Sequence, residues 1–373
     1  MTIPLSRIRV TDPFWLAWQD ALIQGGLDHQ WRMCEETGRL ENFRRAGGGE
    51  AGGFQGLYFN DSDVYKLLEA TIYAAHLAPA SPWRSKSNQV FELIASAQMS
   101  DGYIDTFIQL EHPEKRFLSL AAKHEMYCMG HLIEACCAAI ELFDDKLARD
   151  IATRVFQCIS DTFGPDRRLG FCGHQELELA LCRLADCTRD RAPRELAKWM
   201  TDRRGERPSP FEQEMEDETA KAFSPWLPTL MNKGGKYDGA YAQDDKPLRE
   251  QTQAVGHAVR AMYQFCGALD AYGASDPRLN QALQTTWRNL TERRMYVTGG
   301  IGSSRHNEGF TADYDLPNRD AYAETCAGIG LVFWGWRMGV TFDDPTYFDE
   351  VERSLYNGVL SGMSFDGSLY HYV

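Results

Sequence analysis

The residues best suited to chemistry lie close together in the chain: Gly302-Ser-Ser-Arg-His-Asn-Glu-Gly-Phe310, then Ala323-Glu-Thr-Cys-Ala327. Glu308, Glu324 and Cys326 bring two carboxylates and a thiol, groups that transfer protons, attack carbon or bind metals. Glycines and small polar residues let the backbone turn sharply and present His306, Asn307 and Glu308, while the apolar run Ile329 to Trp336 supplies a body behind them. The stretch reads as a loop at the mouth of a pocket. A loop glutamate is ordinarily just solvated, so Glu308 is a candidate on type and place alone.

Four histidines sit where a helical face would turn inward. His124 and His131 are seven apart, two turns on one face, and each suits a satisfied core role as well as a pocket role. His174-Gln-Glu176 opens a helix after a glycine-rich turn, where side chains can point at a ligand or simply favour the dipole. His257, among small neighbours, is expected to face a ligand. Asp61 reads as an N-cap. Glu324 and Cys326 are two residues apart, about 200° around a regular helix, so they share an ion only at a turning helix start. Two ligands are too few for zinc, and spacing completes no set. No phosphate loop, dinucleotide fingerprint or nucleophile elbow occurs.

The elements that must position these groups are helical almost throughout. Apolar residues recur at three- and four-residue steps, giving eleven helices near 14–37, 61–79, 82–99, 119–143, 145–163, 174–187, 191–204, 248–273, 276–294, 319–340 and 344–362. Strand-like alternation is confined to Ile3–Val10 and Ser368–Val373. A weak echo between Leu196–Arg204 and Trp287–Arg294 suggests stacked helical hairpins, and the long loops favour a closed toroid over a solenoid. Residues 205–247 are too long for a tight hairpin and are expected to line a cleft. The organisation expected is a strand segment over 1–12, an all-α toroid over 13–365, and a further strand beginning at 366–373.

Composition narrows the class. The 373 residues, 43% hydrophobic and 25% charged, suit a globular core, and no apolar run reads as a membrane span. A formal charge of −14 argues against nucleic acid. The N-terminus shows no secretory pattern, so a cytoplasmic setting is expected. Ten scattered cysteines, Cys136-Cys137 among them, read as reduced core residues rather than a disulfide framework.

Taken together, Asn42-Phe-Arg-Arg-Ala46, Phe59-Asn-Asp-Ser-Asp-Val-Tyr-Lys66, His124-Glu-Met-Tyr127, Gly130-His-Leu-Ile-Glu134, Gly173-His-Gln-Glu-Leu-Glu-Leu-Ala180, Gly299-Gly-Ile-Gly-Ser303, Asn307-Glu-Gly309, Glu324-Thr-Cys326 and Tyr356-Asn-Gly-Val-Leu-Ser-Gly362 resemble glycoside hydrolase family 127, the β-L-arabinofuranosidase family. The resemblance spans nearly the whole chain. It implies an (α/α)6 barrel and retaining release of terminal β-linked L-arabinofuranose from a small-molecule or oligosaccharide substrate, with a zinc-bound cysteine as nucleophile. Carried over, Glu308 is the general acid/base and Glu324 and Cys326 are zinc ligands. His124, His174, His257 and Tyr372 hold the sugar, with Phe59 in the same pocket.

One departure stands beside it. The family continues into a Cys-Cys pair that supplies the nucleophile and the remaining thiolates, and the sequence ends at Val373 before that pair. A six-hairpin toroid needs twelve helices and eleven are found, so the closing helix is expected to be missing with the cysteines and the zinc site incomplete. Truncation is the favoured reading, ahead of a short homologue completed by another chain or a noncatalytic sugar binder. A metal-independent enzyme with paired carboxylates would need a second acid facing Glu308, with Asp61 or Glu176 the candidates. An open seam would make homo-oligomers possible.

Overall fold

The structure, a computed structural model, describes residues 3–49 and 51–373. Its helices alternate between an inner and an outer ring. Asp61–Leu77, Glu125–Phe143, Glu176–Thr188, Ala258–Tyr272 and Thr325–Phe342 pack in succession around a central cavity. Trp83–Ala97, Lys146–Thr162, Ala192–Arg203, Pro277–Arg293 and Thr346–Ser354 lie outside them, with the N-terminal pair Pro13–Ala21 and Leu27–Glu36. Each of the eleven periodic segments holds a helix, and both members of the sequence echo are outer helices.

Patterning decides which ring a helix joins. Glu125–Phe143 is buried along nearly its whole length, and of the described helices it is the one apolar and long enough to cross a membrane. It is instead the core of the barrel, with 83% of its apolar window buried. Lys146–Thr162 buries only the stripe Ala148, Ile151, Ala152, Val155, Cys158 and Ile159, and Asp145 caps it by accepting from the Ala148 N–H at 3.0 Å. Each fully buried Ile or Val there contributes about 1.5–3 kcal/mol. Close packing between inner helices needs Gly130: a Cβ there would lie 2.8 Å from the Glu176 side chain.

Three helices begin later than periodicity suggests. Residues 119–124 form a loop that ends at His124 in the left-handed region (φ 60°), so that helix starts at Glu125. Gly256 (φ 68°) and the His257 cap delay the next to Ala258, and Glu324 delays another to Thr325. Asp61 does not cap its own helix. It is buried and accepts from the Thr106 N–H at 2.7 Å and Oγ1 at 2.5 Å, tying two elements together.

The expected terminal strands are absent among the described residues. Ile3–Val10 has no partner and holds a 3-10 turn, Leu5–Arg7, after Pro4. Ser368–Val373 makes one bridge, Tyr370 to Met363, because Asp366 gathers Ser364 and Ser368 into a tight turn. The β ladder that does form pairs Asn232–Lys233 with Lys236–Tyr237 inside the long connector. That connector also carries Pro210–Glu216, Glu218–Phe223 and Leu227–Met231, and it leans over the cavity as expected.

Candidate active site

The central cavity, about 770 Å³, contains every residue singled out in the sequence as catalytic, sugar-holding or metal-ligating. Glu308, Glu324, Cys326, His124, His174, His257, Phe59 and Tyr372 all line it. Residues from opposite ends of the chain thus meet in one hollow.

Glu308 is positioned by main-chain bonds. Its carbonyl accepts from the Ala258 N–H at 3.0 Å, and the Phe310 N–H donates to the Gly256 carbonyl at 2.9 Å. This ladder demands glycine at position 309, where a Cβ would lie 1.8 Å from the Gly256 oxygen. Glu308 itself adopts φ 49°, a left-handed conformation unusual for a residue with a side chain and one that collects at functional sites. Its carboxylate lies 3.1 Å from His257 Nε2 and accepts from the Tyr322 hydroxyl at 2.8 Å. Donation from His257 is the main reason its pKa falls from 4.5 to about 2.

Three imidazoles line one side of the hollow. His124 and His174 have ring centres 5.6 Å apart, and His174 and His257 5.4 Å. Burial, reinforced by the Arg260 guanidinium, pushes His124 down to about 3 and lowers the others. Neutral imidazoles offer one donor and one acceptor each, the pattern that reads sugar hydroxyls. His174 Nδ1 is buried with no partner. Phe59 packs its ring 5.5 Å from His124.

Glu324 occupies the position before the first turn of its helix with φ −51°, ψ 135°, so it is not helical. That is the turning start which lets a carboxylate and a thiol two residues apart approach one another. Burial, then the charge of Glu324, pushes the Cys326 thiol up to about 12. Glu324 is 4% exposed, and its Oε2 is buried with no hydrogen-bond partner. An unpartnered carboxylate oxygen beside a thiol fits the oxygen and sulfur donor set of zinc. Ligating atoms of His257, Glu308 and Glu324 also lie within 4.8 Å of one another. Tyr372 borders the same carboxylate, and its phenol is pushed upward by burial and by Glu324.

The two alternative carboxylates lie elsewhere. Asp61 is engaged with Thr106, and Glu176 sits 3.2 Å from His131 beneath the cavity. Position 131 is thus a core residue that reaches the cavity wall, its imidazole kept neutral by burial. The acid that faces Glu308 is Glu324.

Sequence reasoning passed over several wall residues. Arg260 is 1% exposed, donates to the carbonyls of Gly173 (2.6 Å) and Ala121 (3.2 Å), and spreads over Tyr241. Its position, one turn after His257, was the available signal. Lys66 donates to the Tyr127 hydroxyl at 2.6 Å inside the cavity. Tyr322, which holds Glu308, falls in the stretch read as helix from 319, but it lies in nonhelical backbone before Thr325.

Comparison with known proteins agrees with this geometry. Residues 7–373 match the family model described as the β-L-arabinofuranosidase GH127 catalytic domain. The non-reducing end β-L-arabinofuranosidase of Bifidobacterium longum subsp. longum is 33% identical over 393 residues, covering 98% of the chain and 58% of that protein. A crystal structure of a GH127 β-L-arabinofuranosidase from Geobacillus stearothermophilus T6 is 40% identical with a TM-score of 0.91, covering 98% of the chain and 58% of the other. The chain therefore spans a little over half the length of these relatives. Cellobiose 2-epimerase from Bacillus thermoamylovorans B4167, 12% identical, shares the fold alone at a TM-score of 0.57, over 97% of the chain and 91% of its own. The fold is the (α/α)6 barrel.

Proposed function

Because the chain belongs to glycoside hydrolase family 127, the β-L-arabinofuranosidase family, we propose that its cavity binds a terminal β-linked L-arabinofuranose and serves its retaining hydrolysis. The supporting observation is the convergence of Glu308, Glu324 and Cys326 on one hollow lined by neutral imidazoles.

In this reading His124, His174 and His257 hold the sugar hydroxyls, and Tyr372 and Phe59 close the pocket around the ring. A cysteine thiolate forms a bond to the anomeric carbon as the glycosidic carbon–oxygen bond breaks. Glu308 gives its proton to the departing oxygen, then takes one from the water that frees the sugar. With its carboxyl held near 2, Glu308 is ionised at neutral pH, so it must gain a proton first. A bound sugar that dries the site raises the carboxyl and favours that state.

Zinc, when bound, would keep thiolates deprotonated and aligned. Glu324 and Cys326 would hold it. The adjacent cysteines in the chain, Cys136 and Cys137, are fully buried in an inner helix away from the cavity. We therefore assign the nucleophile and the other thiolate ligands to residues outside 1–373.

A second reading rests on the closeness of Glu308 and Glu324. Their ligating oxygens lie within 4.8 Å, near the roughly 5–5.5 Å carboxyl separation of retaining enzymes that use an acid pair. Zinc dependence separates the two readings.

The test is Glu308→Gln in protein carrying the family's cysteine pair. Hydrolysis of an arabinofuranoside with a poor leaving group should fall by about 10²–10⁴ with folding intact, and retained turnover removes Glu308 from its role. Full activity in metal-free protein would favour the carboxylate pair.

A further inference from the structure

The adjacent cysteines of the inner helix Glu125–Phe143 point different ways. Successive side chains on a helix diverge by about 100°. Cys136 turns outward and lies against Ala152 of the outer helix Lys146–Thr162. Cys137 turns toward the neighbouring inner helix Glu176–Thr188, and its thiol is within hydrogen-bonding reach of the Cys187 sulfur.

The register of the two inner helices sets this meeting. They run parallel and close: a Cβ on Gly130 would lie 3.0 Å from the Leu177 nitrogen, and further along Glu134 pairs with Arg183. In the last turns Glu141 Oε1 accepts from both Arg183 Nε and the Cys187 thiol, each at 3.2 Å. Arg183 and Cys187 are one turn apart on one helix, and Cys137 and Glu141 are one turn apart on the other. Thiol therefore faces thiol where carboxylate faces guanidinium. Cys137 is fully buried, whereas Cys187 is partly exposed, about 16 Å along its helix from Glu176 and away from the central cavity. One sulfur open to solvent with a second sealed behind it suits stepwise disulfide formation.

We propose that Cys137 and Cys187, both free thiols in this structure, are an oxidation site that closes into a disulfide and staples two neighbouring inner helices at the floor of the barrel. The exposed sulfur reacts first. Cys187 gives up its proton and attacks a small disulfide such as oxidised glutathione; a protein–glutathione S–S bond forms, the original S–S bond breaks, and one glutathione leaves as its thiol. Cys137 then attacks the Cys187 sulfur, and its proton leaves with the second glutathione. The protein dithiol is oxidised by two electrons and the small disulfide is reduced by two. Burial pushes the Cys137 thiol well above its ordinary value, so it follows Cys187 rather than leading it. The bond joins positions roughly 50 residues apart and so restricts the unfolded chain.

The experiment incubates the zinc-loaded protein that carries the family's cysteine pair with oxidised glutathione in mildly alkaline buffer and maps its peptides without reduction. A peptide containing Cys137 should be found joined to one containing Cys187, with fragmentation assigning the bond to Cys137 rather than Cys136. The melting temperature should rise by about 3–5 °C over the reduced sample, and dithiothreitol should reverse both changes. Cys187→Ser, at a partly exposed position, should melt as the reduced parent does and show neither the link nor the rise. Glutathione retained on Cys187 without a link, a bond made by Cys136, or a link with no rise in melting temperature overturns the proposal. So does the absence of reaction at both sulfurs.

Discussion

His257 and Glu308 are joined twice. Imidazole Nε2 lies 3.1 Å from the carboxylate, and the residue after His257 donates its N–H to the Glu308 carbonyl at 3.0 Å. Removing the ring in His257→Ala deletes the main stabiliser of the charged carboxylate, so its pKa should climb from about 2 toward 4.5. A folded value below the unfolded one means that the pair stabilises the fold above pH 4.5, with the contribution fading as pH falls toward 2. Carbon NMR titration of the Glu308 carboxyl checks this. A value still near 2 would show that Tyr322 suffices.

The main-chain ladder gives a second expectation. Gly309→Ala places a methyl group against the Gly256 carbonyl, 1.8 Å away in the unaltered geometry. The backbone must move, costing about 1–3 kcal/mol by overpacking. Turnover should drop more than stability does, because Glu308 moves with its neighbour. Thermal unfolding and kinetics on the same sample separate the effects; unchanged turnover in a destabilised protein would mean that the ladder does not set the position of the acid.

Metal binding offers a third. In protein that carries the family's cysteine pair, about one zinc per chain is expected, and Cys326→Ser or Glu324→Gln should each weaken its retention roughly tenfold or more. Metal analysis after dialysis against a graded chelator reads this directly. Zinc content equal to that of the unaltered protein would remove these residues from the site.

The loop before His124 supplies a fourth. Glu214 accepts from the Leu120 and Ala121 N–H groups at 2.7 and 3.1 Å, fastening the long connector beside the imidazoles. Burial raises its pKa from 4.5 to about 8. The folded state therefore holds this proton more tightly than the unfolded state, and stability conferred by the protonated acid is lost as pH rises from 4.5 through 8. Glu214→Gln should flatten that decline in denaturant midpoints between pH 5 and pH 8. An unaltered slope would place its origin in another group.

The helices and the pocket were legible in the sequence for different reasons. Periodicity gave the helices, while the toroid came from the echo and the long loops; the two rings differ in how much surface they bury, as Glu125–Phe143 and Lys146–Thr162 do. The site residues came from motifs, since no spacing rule brings position 59 to position 372. Glu324 and Cys326 were legible as a pair only in part, because their approach depends on the nonhelical backbone at Glu324. Late helix starts at Glu125 and Ala258 arise from left-handed residues that apolar patterning cannot register. The terminal strands failed for lack of partners, and a strand is defined by its partner.

Main-chain fastening of Glu308 requires glycine at position 309 but no particular side chain at 305 or 306. Arg305 and His306 line the cavity, yet no hydrogen bond from their side chains holds the Glu308 carboxylate, whereas the Asn307 amide braces the turn by donating to the Phe310 carbonyl at 3.4 Å. Positions 305 and 306 can drift, one substitution at a time, while the Glu308 carboxylate stays where it is. A lineage is thereby free to recut the wall of the hollow without unseating the carboxylate inside it.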